Sequence, residues 1–165
     1  MFFTKNLRNQ AEKILQQAKL CGVKIATAES CTGGLVAALL TEISGSSQVF
    51  DRGFITYSNV AKNEMLQVKM ELLEKYGAVS AQVAEAMVRG VLKNSQADIA
   101  VAITGIAGPD GGSEEKPVGL VYVAVFNNKL SPHQRVQKFI FAGDRNEVRK
   151  QAVIGALRML GENFL

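Results

Sequence analysis

The chain has 165 residues, enough to bury a core of its own, and we expect one domain over residues 1–165. Its 47% hydrophobic and 21% charged residues exclude a disordered chain, and no apolar stretch reaches the ~20 residues of a membrane span. The net charge is +4, but the lysine and arginine residues are interspersed with acidic residues. No basic stripe therefore indicates a surface that binds nucleic acid. The N-terminus lacks the order of a signal peptide, and we expect a cytoplasmic protein.

Few side chains of the chain are suited to binding a metal. Cys21 and Cys31 do not make a disulfide framework, and with His133 as the one histidine there is no zinc spacing. No cluster of Asp and Glu indicates a site formed by carboxylates alone. We therefore expect no metal site.

The first half of the chain predicts alternating helices and strands. Apolar residues at helical spacing define the first helix, and β-branched and aromatic residues define the strands. In chain order the elements are a helix at 4–20, a strand at 23–28, a helix opened by Gly33 and Gly34, a strand at 49–58, and short helices at 60–67 and 70–76.

The second half continues this alternation and contains the one Gly/Pro-rich loop. Ser80 and Asp144 are suited to cap the two long helices. The elements are a helix at 80–94, a strand at 97–105, a loop at 106–119, strands at 120–126 and 135–141, and a final helix at 145–162.

Together these elements predict an α/β fold of three layers, α/β/α, around a mixed, largely parallel sheet of about five strands. In such sheets ligands bind outside the carboxyl ends of the strands. Three polar, glycine-rich strand exits therefore become candidate site segments, at 29–34, 56–62 and 104–113.

The first exit, TAESCTGG at 27–34, places a serine and a cysteine side by side in a turn before a helix. The unpaired N–H groups and positive dipole of a helix N-terminus stabilise an oxyanion or a phosphate. Gly33 and Gly34 would let a ligand approach the backbone. The alternative is that Ser30 or Thr32 only caps the helix.

The second exit, TYSNVAK at 56–62, supplies a base for such a serine. A serine hydroxyl needs a neighbouring group that takes its proton, and His133 stands in a polar turn beside Pro132. Lys62 is the best remaining base, provided that its amine is partly desolvated. The alternative is a solvated lysine on a helix face.

The third exit, with Arg145 at the start of the last helix, offers groups for an anion. The loop fits neither the P-loop nor the dinucleotide fingerprint, but its backbone N–H groups with Thr104 or Ser113 could surround a phosphate or ribose. A cation in the first turn of a helix opposes the dipole, so Arg145 has reason to pair with an anion. A mobile surface loop and a surface salt bridge are the alternatives.

The stretches TAESCTGG, GSSQVFDRGFITYSNVAK and GIAGPDGGSEEKPVG resemble the motifs of the CinA C-terminal domain family over almost the whole chain. Stand-alone members of this family hydrolyse the carboxamide of nicotinamide mononucleotide to nicotinate mononucleotide and ammonia, without a cofactor. The resemblance implies Ser30 as nucleophile, Lys62 as base and Tyr57 as an orienting or proton-relaying group. It also implies a homo-oligomer and the lack of the N-terminal domain that larger CinA proteins carry.

The substrate contacts are expected at two places. We assign the oxyanion to the backbone at the start of the second helix, and the phosphate to the third exit and Arg145. The candidate substrate-binding residues are Cys31, Thr32, Gly33, Gly34, Ser46, Thr104, Gly105, Gly108, Gly112, Ser113 and Arg145. Ser46 and Ser47 also stay open as alternative reactive hydroxyls.

Two other interpretations remain open. Cys31 is intrinsically the better nucleophile, and a helix N-terminus would lower its pKa, but no aspartate stands where it could orient the reaction. A non-catalytic nucleotide-binding or DNA-associated module would bind nucleic acid with strong salt dependence. The lack of a basic stripe and of tryptophan argues against nucleic acid as a partner.

Overall fold

The computed structural model describes residues 3–165, so the first two residues of the predicted domain lie outside the described part. Six α-helices and five strands follow one another within this range. They are α1 (Lys5–Leu20), β1 (Ile25–Glu29), α2 (Leu35–Thr41), β2 (Phe50–Ile55), α3 (Asn59–Leu66), α4 (Met70–Tyr76), α5 (Ala81–Lys93), β3 (Ile99–Gly105), β4 (Leu120–Asn127), β5 (His133–Ile140) and α6 (Arg145–Gly161). Short 3-10 turns cover Ser46–Gln48 and Glu162–Phe164.

The strands form one sheet in the order β2-β1-β3-β4-β5. Strands β2 and β3 pair in parallel with β1, whereas β4 is antiparallel to both β3 and β5. Only β4 therefore runs against the other four strands, which confirms the predicted mixed, largely parallel sheet. The carboxyl ends of β1, β2 and β3 consequently meet at one edge.

Helices cover both faces of the sheet, as predicted. The helices α1, α2 and α6 pack on one face, and α3, α4 and α5 pack on the other. Strand β3 is buried along almost its whole length because helices cover it on both sides. Among residues 3–165, no helix has the length and hydropathy that crossing a bilayer requires.

Some element ends differ from the predicted ones for identifiable reasons. Helix α2 begins at Leu35 because Gly33 and Gly34 have φ of +60° and +97°, which an α-helix does not accommodate. The second strand ends at Ile55 rather than at residue 58, because Ser58 caps α3 by accepting a hydrogen bond from the Ala61 N–H. These two corrections lie directly beside the candidate site.

The position of α3 depends on one glycine of α5. A Cβ at Gly90 would stand 2.2 Å from the carbonyl oxygen of Leu66, the last residue of α3. In a helix interior, Gly→Ala normally stabilises by about 0.5–1 kcal/mol, but a buried clash of this kind costs about 1–3 kcal/mol. We expect Gly90→Ala to lower the free energy of unfolding, measured in urea.

The matched control for this substitution is Gly155→Ala in α6. A Cβ there would meet the Phe139 ring at 3.4 Å, which is ordinary van der Waals contact. This variant should therefore keep or raise the free energy of unfolding. A higher free energy of unfolding for Gly90→Ala would contradict the close contact between Gly90 of α5 and the Leu66 carbonyl of α3.

Candidate active site

The sheet itself positions the first candidate residues. The Ser30 N–H donates to the Ile103 carbonyl at 3.0 Å, and the Thr56 N–H donates to the Glu29 carbonyl at 2.9 Å. Both bonds continue the strand pairing by one residue beyond the ends of β1 and β2. The Ser30 backbone is therefore fixed by the most buried part of the fold.

Lys62 reaches Ser30 from the beginning of α3. Its side chain is only 1% exposed, so Lys62 is not a solvated lysine on a helix face. The Nζ atom lies 3.1 Å from Ser30 Oγ and 2.9 Å from the Thr56 carbonyl oxygen. The Tyr57 carbonyl oxygen, at 3.4 Å, is the third neighbour.

This environment is suited to a lysine that accepts a proton. Burial lowers the pKa of Lys62, because the charged amine loses the stabilisation of water. A neutral amine has two N–H groups and one lone pair. The carbonyl oxygens of Thr56 and Tyr57 can accept from both N–H groups, which leaves the lone pair to receive the proton of Ser30.

A cavity of about 270 Å³ opens beside this pair. Its size is near the lower end of small-molecule pockets, which suits one small molecule rather than a polymer. It is lined by Ser30, Cys31, Tyr57, Lys62, Ala78, Val79, Thr104, Gly105, Ile106, Ala107, Gly108, Asp110, Gly111 and Arg145. All three strand exits thus contribute residues to one pocket.

Arg145 joins two sides of this pocket. Its Nη1 donates to the Gly108 carbonyl at 2.8 Å, and its Nη2 donates to the Tyr57 hydroxyl at 2.9 Å. The Tyr57 side chain is 61% exposed, and its hydroxyl contacts Arg145, whereas only its carbonyl faces Lys62. This places an exposed guanidinium in the pocket lining, where it bonds Gly108 and Tyr57 rather than the reactive pair.

Thr104 and Gly105 lie in the pocket wall. The Thr104 hydroxyl donates to the Ala78 carbonyl at 2.8 Å, so only its oxygen lone pairs are free for a ligand. A Cβ at Gly105 would stand 2.7 Å from a methyl group of Val121, so this glycine permits close pairing of β3 with β4.

The pKa of the Cys31 thiol is raised, whereas the sequence predicted that it would be lowered. Cys31 is buried, and burial raises the pKa of its thiol to about 11. A hydrogen bond from the backbone of Cys31 and the positive charges of Arg149 and Lys62 lower this pKa, whereas the nearby carboxylate of Glu29 raises it further. The expected lowering by a helix N-terminus does not occur, and at neutral pH the thiol is protonated and a poor nucleophile.

The N-terminus of α2 is capped by a side chain of the same protein, that of Glu29. The buried carboxylate of Glu29 accepts from the N–H groups of Gly34, Val36 and Ala37 at 2.9–3.1 Å. Neither Ser30 nor Thr32 caps the helix, and the helix does not offer these N–H groups to a ligand as expected. Among the residues described, the N–H groups of Cys31 and Thr32 donate to no other residue, but Thr32 is fully buried and only Cys31 lines the cavity.

Several expected binding residues lie outside this pocket. Thr32 is fully buried behind the turn, and Gly33 and Gly34 shape the backbone there. Ser113 accepts from the Lys116 N–H within its own turn, and a Cβ at Gly112 would meet Val118 at 2.9 Å. The far half of the loop therefore folds on itself instead of lining the cavity.

Ser46 and Ser47 lie at the other edge of the sheet. They precede β2, whose first residue Phe50 pairs with Ile25 at the beginning of β1. Ser30 follows the last residue of β1, so the length of the strand separates it from both serines, roughly 15 Å. Within one chain, Ser46 cannot contact the pocket and neither serine can replace Ser30, which corrects both expectations.

The structure adds residues that the sequence reasoning missed. Asp110, Val79 and Ala107 line the pocket, and Arg149 contacts the Ser30 turn from the other side. Arg149 follows Arg145 by four residues, so helical periodicity could have placed both on one face of α6. In the part of the chain that the structure describes, no group of three or more His, Cys, Asp or Glu residues could hold a metal ion.

Comparison with known proteins shows the family of the chain. The family model of the CinA C-terminal domain matches residues 7–164. The chain is 50% identical to "Nicotinamide-nucleotide amidohydrolase PncC" of Escherichia coli K12, over 96% of this chain and 95% of that protein. It is 54% identical to a "Putative competence-damage inducible protein" of Acetivibrio thermocellus, over 84% of this chain but only 33% of that longer protein.

Among solved structures, the crystal structure of the competence/damage inducible protein CihA from Agrobacterium tumefaciens is similar over its whole length. The TM-score is 0.96 and the sequence identity is 45%, with 100% of this chain and 99% of that chain covered. The match therefore includes all elements that form the pocket. The chain belongs to the CinA C-terminal domain family.

Proposed function

We propose that this protein hydrolyses the carboxamide of nicotinamide mononucleotide to nicotinate mononucleotide and ammonia, with Ser30 as nucleophile and Lys62 as base. The observation that carries the proposal is the buried Lys62 amine, 3.1 Å from the Ser30 hydroxyl in a pocket sized for one small molecule. The substrate is supported by the near-full-length relative named nicotinamide-nucleotide amidohydrolase.

The first half of the reaction forms an acyl-enzyme. Lys62 takes the hydroxyl proton of Ser30 while Oγ attacks the amide carbon. The negative charge that develops on the carbonyl oxygen is stabilised by the N–H group of Cys31, which lines the pocket and donates to no other residue among those described. Lys62, now an ammonium, returns the proton to the amide nitrogen, and ammonia leaves as the carbon–nitrogen bond breaks.

The second half repeats these steps with water. Lys62 takes a proton from a water molecule that attacks the ester carbon, and the same N–H group of Cys31 stabilises the second oxyanion. The proton then returns to Ser30 Oγ as the ester bond breaks. The products are nicotinate mononucleotide and a regenerated serine, and no step changes an oxidation state.

The phosphate of the substrate fits the open side of the pocket. Arg145 stands there with its guanidinium held by Gly108 and Tyr57, and it still has N–H groups to donate. A guanidinium is suited to bidentate contact with phosphate oxygens. Arg145 would thus bind the phosphate at one end of the nucleotide, while Ser30 and Lys62 act on the amide at the other end.

The test is incubation with nicotinamide mononucleotide while nicotinate mononucleotide and ammonia are measured. Nicotinamide riboside, which lacks the phosphate, serves as the comparison substrate and should react with lower kcat/KM. Folded protein that releases no ammonia near neutral pH would contradict the proposal. Salt-dependent binding of DNA by that inactive protein would then favour the DNA-associated alternative.

We further propose that the protein acts as a cytoplasmic homo-oligomer. Large apolar side chains beside the pocket, those of Ile55, Tyr57 and Val60, are more than half exposed and would be covered by a second copy. Sedimentation equilibrium measures the assembly, and a monomer at micromolar concentration would contradict this part of the proposal.

A further inference from the structure

The loop that follows β3 brings one acidic residue to the substrate pocket. Asp110 is exposed, and it is the one Asp or Glu among the described residues that line this cavity. Arg145 adds a positive charge to the same lining. The pocket therefore carries one charge of each sign in addition to the amine of Lys62, whose pKa is lowered by burial.

The two opposite charges do not pair with each other. The Arg145 guanidinium bonds the Tyr57 hydroxyl and the carbonyl of Gly108, only two residues before Asp110. Within residues 3–165, the Asp110 carboxylate nevertheless forms no hydrogen bond or ion pair, with Arg145 or with any other residue. Both charges are thus available to a ligand, since the carboxylate keeps all of its lone pairs and the guanidinium keeps N–H groups to donate.

The turn that carries Asp110 is held by other groups. The Gly108 carbonyl accepts from Arg145 at 2.8 Å, and a Cβ at Gly108 would stand 2.5 Å from a methyl group of Val118. Gly108 and Gly111 have φ of +82° and +88°, which glycine adopts without strain. Because the Asp110 side chain takes no part in these contacts, its replacement should leave the turn unchanged.

A pocket with two separated charges of opposite sign suits a ligand that carries both. Nicotinamide mononucleotide is such a ligand, because its N-ribosylated pyridine ring is a permanent cation and its phosphate is an anion. Arg145 suits the phosphate, so the ring is the group that a carboxylate attracts. The ring nitrogen is separated by one ring carbon from the carbon that bears the carboxamide, and its charge therefore enters the pocket together with the reacting amide.

We infer that Asp110 is a specificity-determining residue, whose carboxylate attracts the pyridinium ring and selects nicotinamide nucleotides with a cationic ring over those with a neutral ring. The inference rests on the proposed amidase function. It adds a form of selection that neither the Ser30–Lys62 pair nor Arg145 supplies, because a reduced, dihydropyridine nucleotide has the same carboxamide and the same phosphate.

The first measurement compares Asp110→Asn with the unchanged protein on nicotinamide mononucleotide and on its reduced, dihydropyridine form. Asparagine keeps the size and one hydrogen-bond acceptor but removes the charge. For a partly exposed ion pair we expect kcat/KM on the cationic ring to fall by about 5- to 30-fold, mainly through KM. On the neutral ring it should change by less than about twofold. The ratio of the two substrates within each protein cancels the different reactivity of the two amides.

Glu114→Gln is the matched control, because it removes the same charge from the same loop at an exposed residue that does not line the cavity. It should keep the substrate ratio of the unchanged protein. An unchanged ratio in Asp110→Asn would overturn the inference. An equal loss on both substrates would also overturn it, and would assign Asp110 to an uncharged contact such as the ribose hydroxyls.

A second measurement does not depend on turnover. Calorimetry of the Ser30→Ala protein, with and without Asp110→Asn, gives the dissociation constants of both nucleotides. The preference for the cationic ring should fall by the same factor when Asp110 is replaced, and it should weaken as salt is added. If the unchanged protein releases no ammonia, the proposed function fails, whereas these constants still test Asp110. Equal affinity for the two forms, or no measurable affinity for either, would overturn the inference.

Discussion

Replacement of Ser30 by alanine is expected to reduce kcat for nicotinamide mononucleotide by about 10⁴-fold or more, because no other side chain can form the acyl-enzyme. Ser30 is the hydroxyl within 3.1 Å of the buried amine, and the thiol beside it is protonated at neutral pH. Ammonia release by single-turnover and steady-state kinetics measures the loss. KM should change little, since only a hydroxyl is removed from the pocket.

Cys31→Ala is the decisive comparison for this result. The pKa of about 11 makes the Cys31 thiol a poor nucleophile, so its replacement should lower kcat by less than about tenfold, through packing of the turn. Incubation with a serine-directed phosphonylating reagent, followed by mass spectrometry, should label Ser30 in the unchanged protein and in Cys31→Ala. Full turnover by Ser30→Ala, with loss in Cys31→Ala, would instead assign the reaction to the thiol.

Replacement of Lys62 by methionine should have the second largest effect. General-base catalysis contributes about 10²–10⁴ in rate, and we expect kcat to fall within this range. Lys62→Arg should be equally inactive, because a guanidinium stays protonated and cannot accept the proton of Ser30. Lys13→Met, which removes an exposed lysine of α1, is the control and should keep full activity.

The pH dependence gives an independent test of Lys62. Because burial lowers its pKa, kcat/KM should rise with pH through that lowered value and level off below the ~10.4 of a free lysine. The unfolded chain binds this proton more tightly than the native one. The free energy of unfolding should therefore also rise with pH between the two pKa values, by at most about 1.4 kcal/mol per pH unit.

Lys62→Met should remove this rise of stability from the urea-unfolding profile, whereas Lys13→Met should retain it. If kcat/KM of the unchanged protein does not rise with pH below the pKa of a free lysine, Lys62 does not act as the base. If the free energy of unfolding still rose with pH in that case, Lys62 would be a buried lysine with a lowered pKa that takes no part in catalysis.

Local patterns in the sequence were sufficient for the fold. The long apolar run of β3 and the spacing of Leu7, Ala11 and Ile14 in α1 each indicated one structure, because helices cover both sides of the sheet and burial decides each element. The element ends were less predictable. Glycines with positive φ delayed α2, and the Ser58 cap shortened the second strand, since caps depend on local geometry that apolar periodicity does not record.

The site was predictable only where it follows strand ends. The rule for parallel strands brought Ser30 and Lys62 to one edge. Ser46 was misplaced, because it precedes β2 and therefore lies at the beginning of that strand, away from the carboxyl ends. The contacts of Glu29 and Arg149 could not be anticipated, although helical periodicity places Arg149 on the same face of α6 as Arg145. Glu29 binds the first N–H groups of α2 and Arg149 binds carbonyls of the Ser30 turn, and one sequence does not indicate which backbone groups a side chain will reach.

The capping of α2 by Glu29 also bears on how the product leaves. Hydrolysis converts a neutral amide into a carboxylate beside Ser30, and a free helix end there would bind this new anion. The chain already fills that end with its own carboxylate, which repels a second one at short range. We therefore expect nicotinate mononucleotide to dissociate readily and to inhibit weakly, so that the nucleotide phosphate, common to substrate and product, is the main group that retains it.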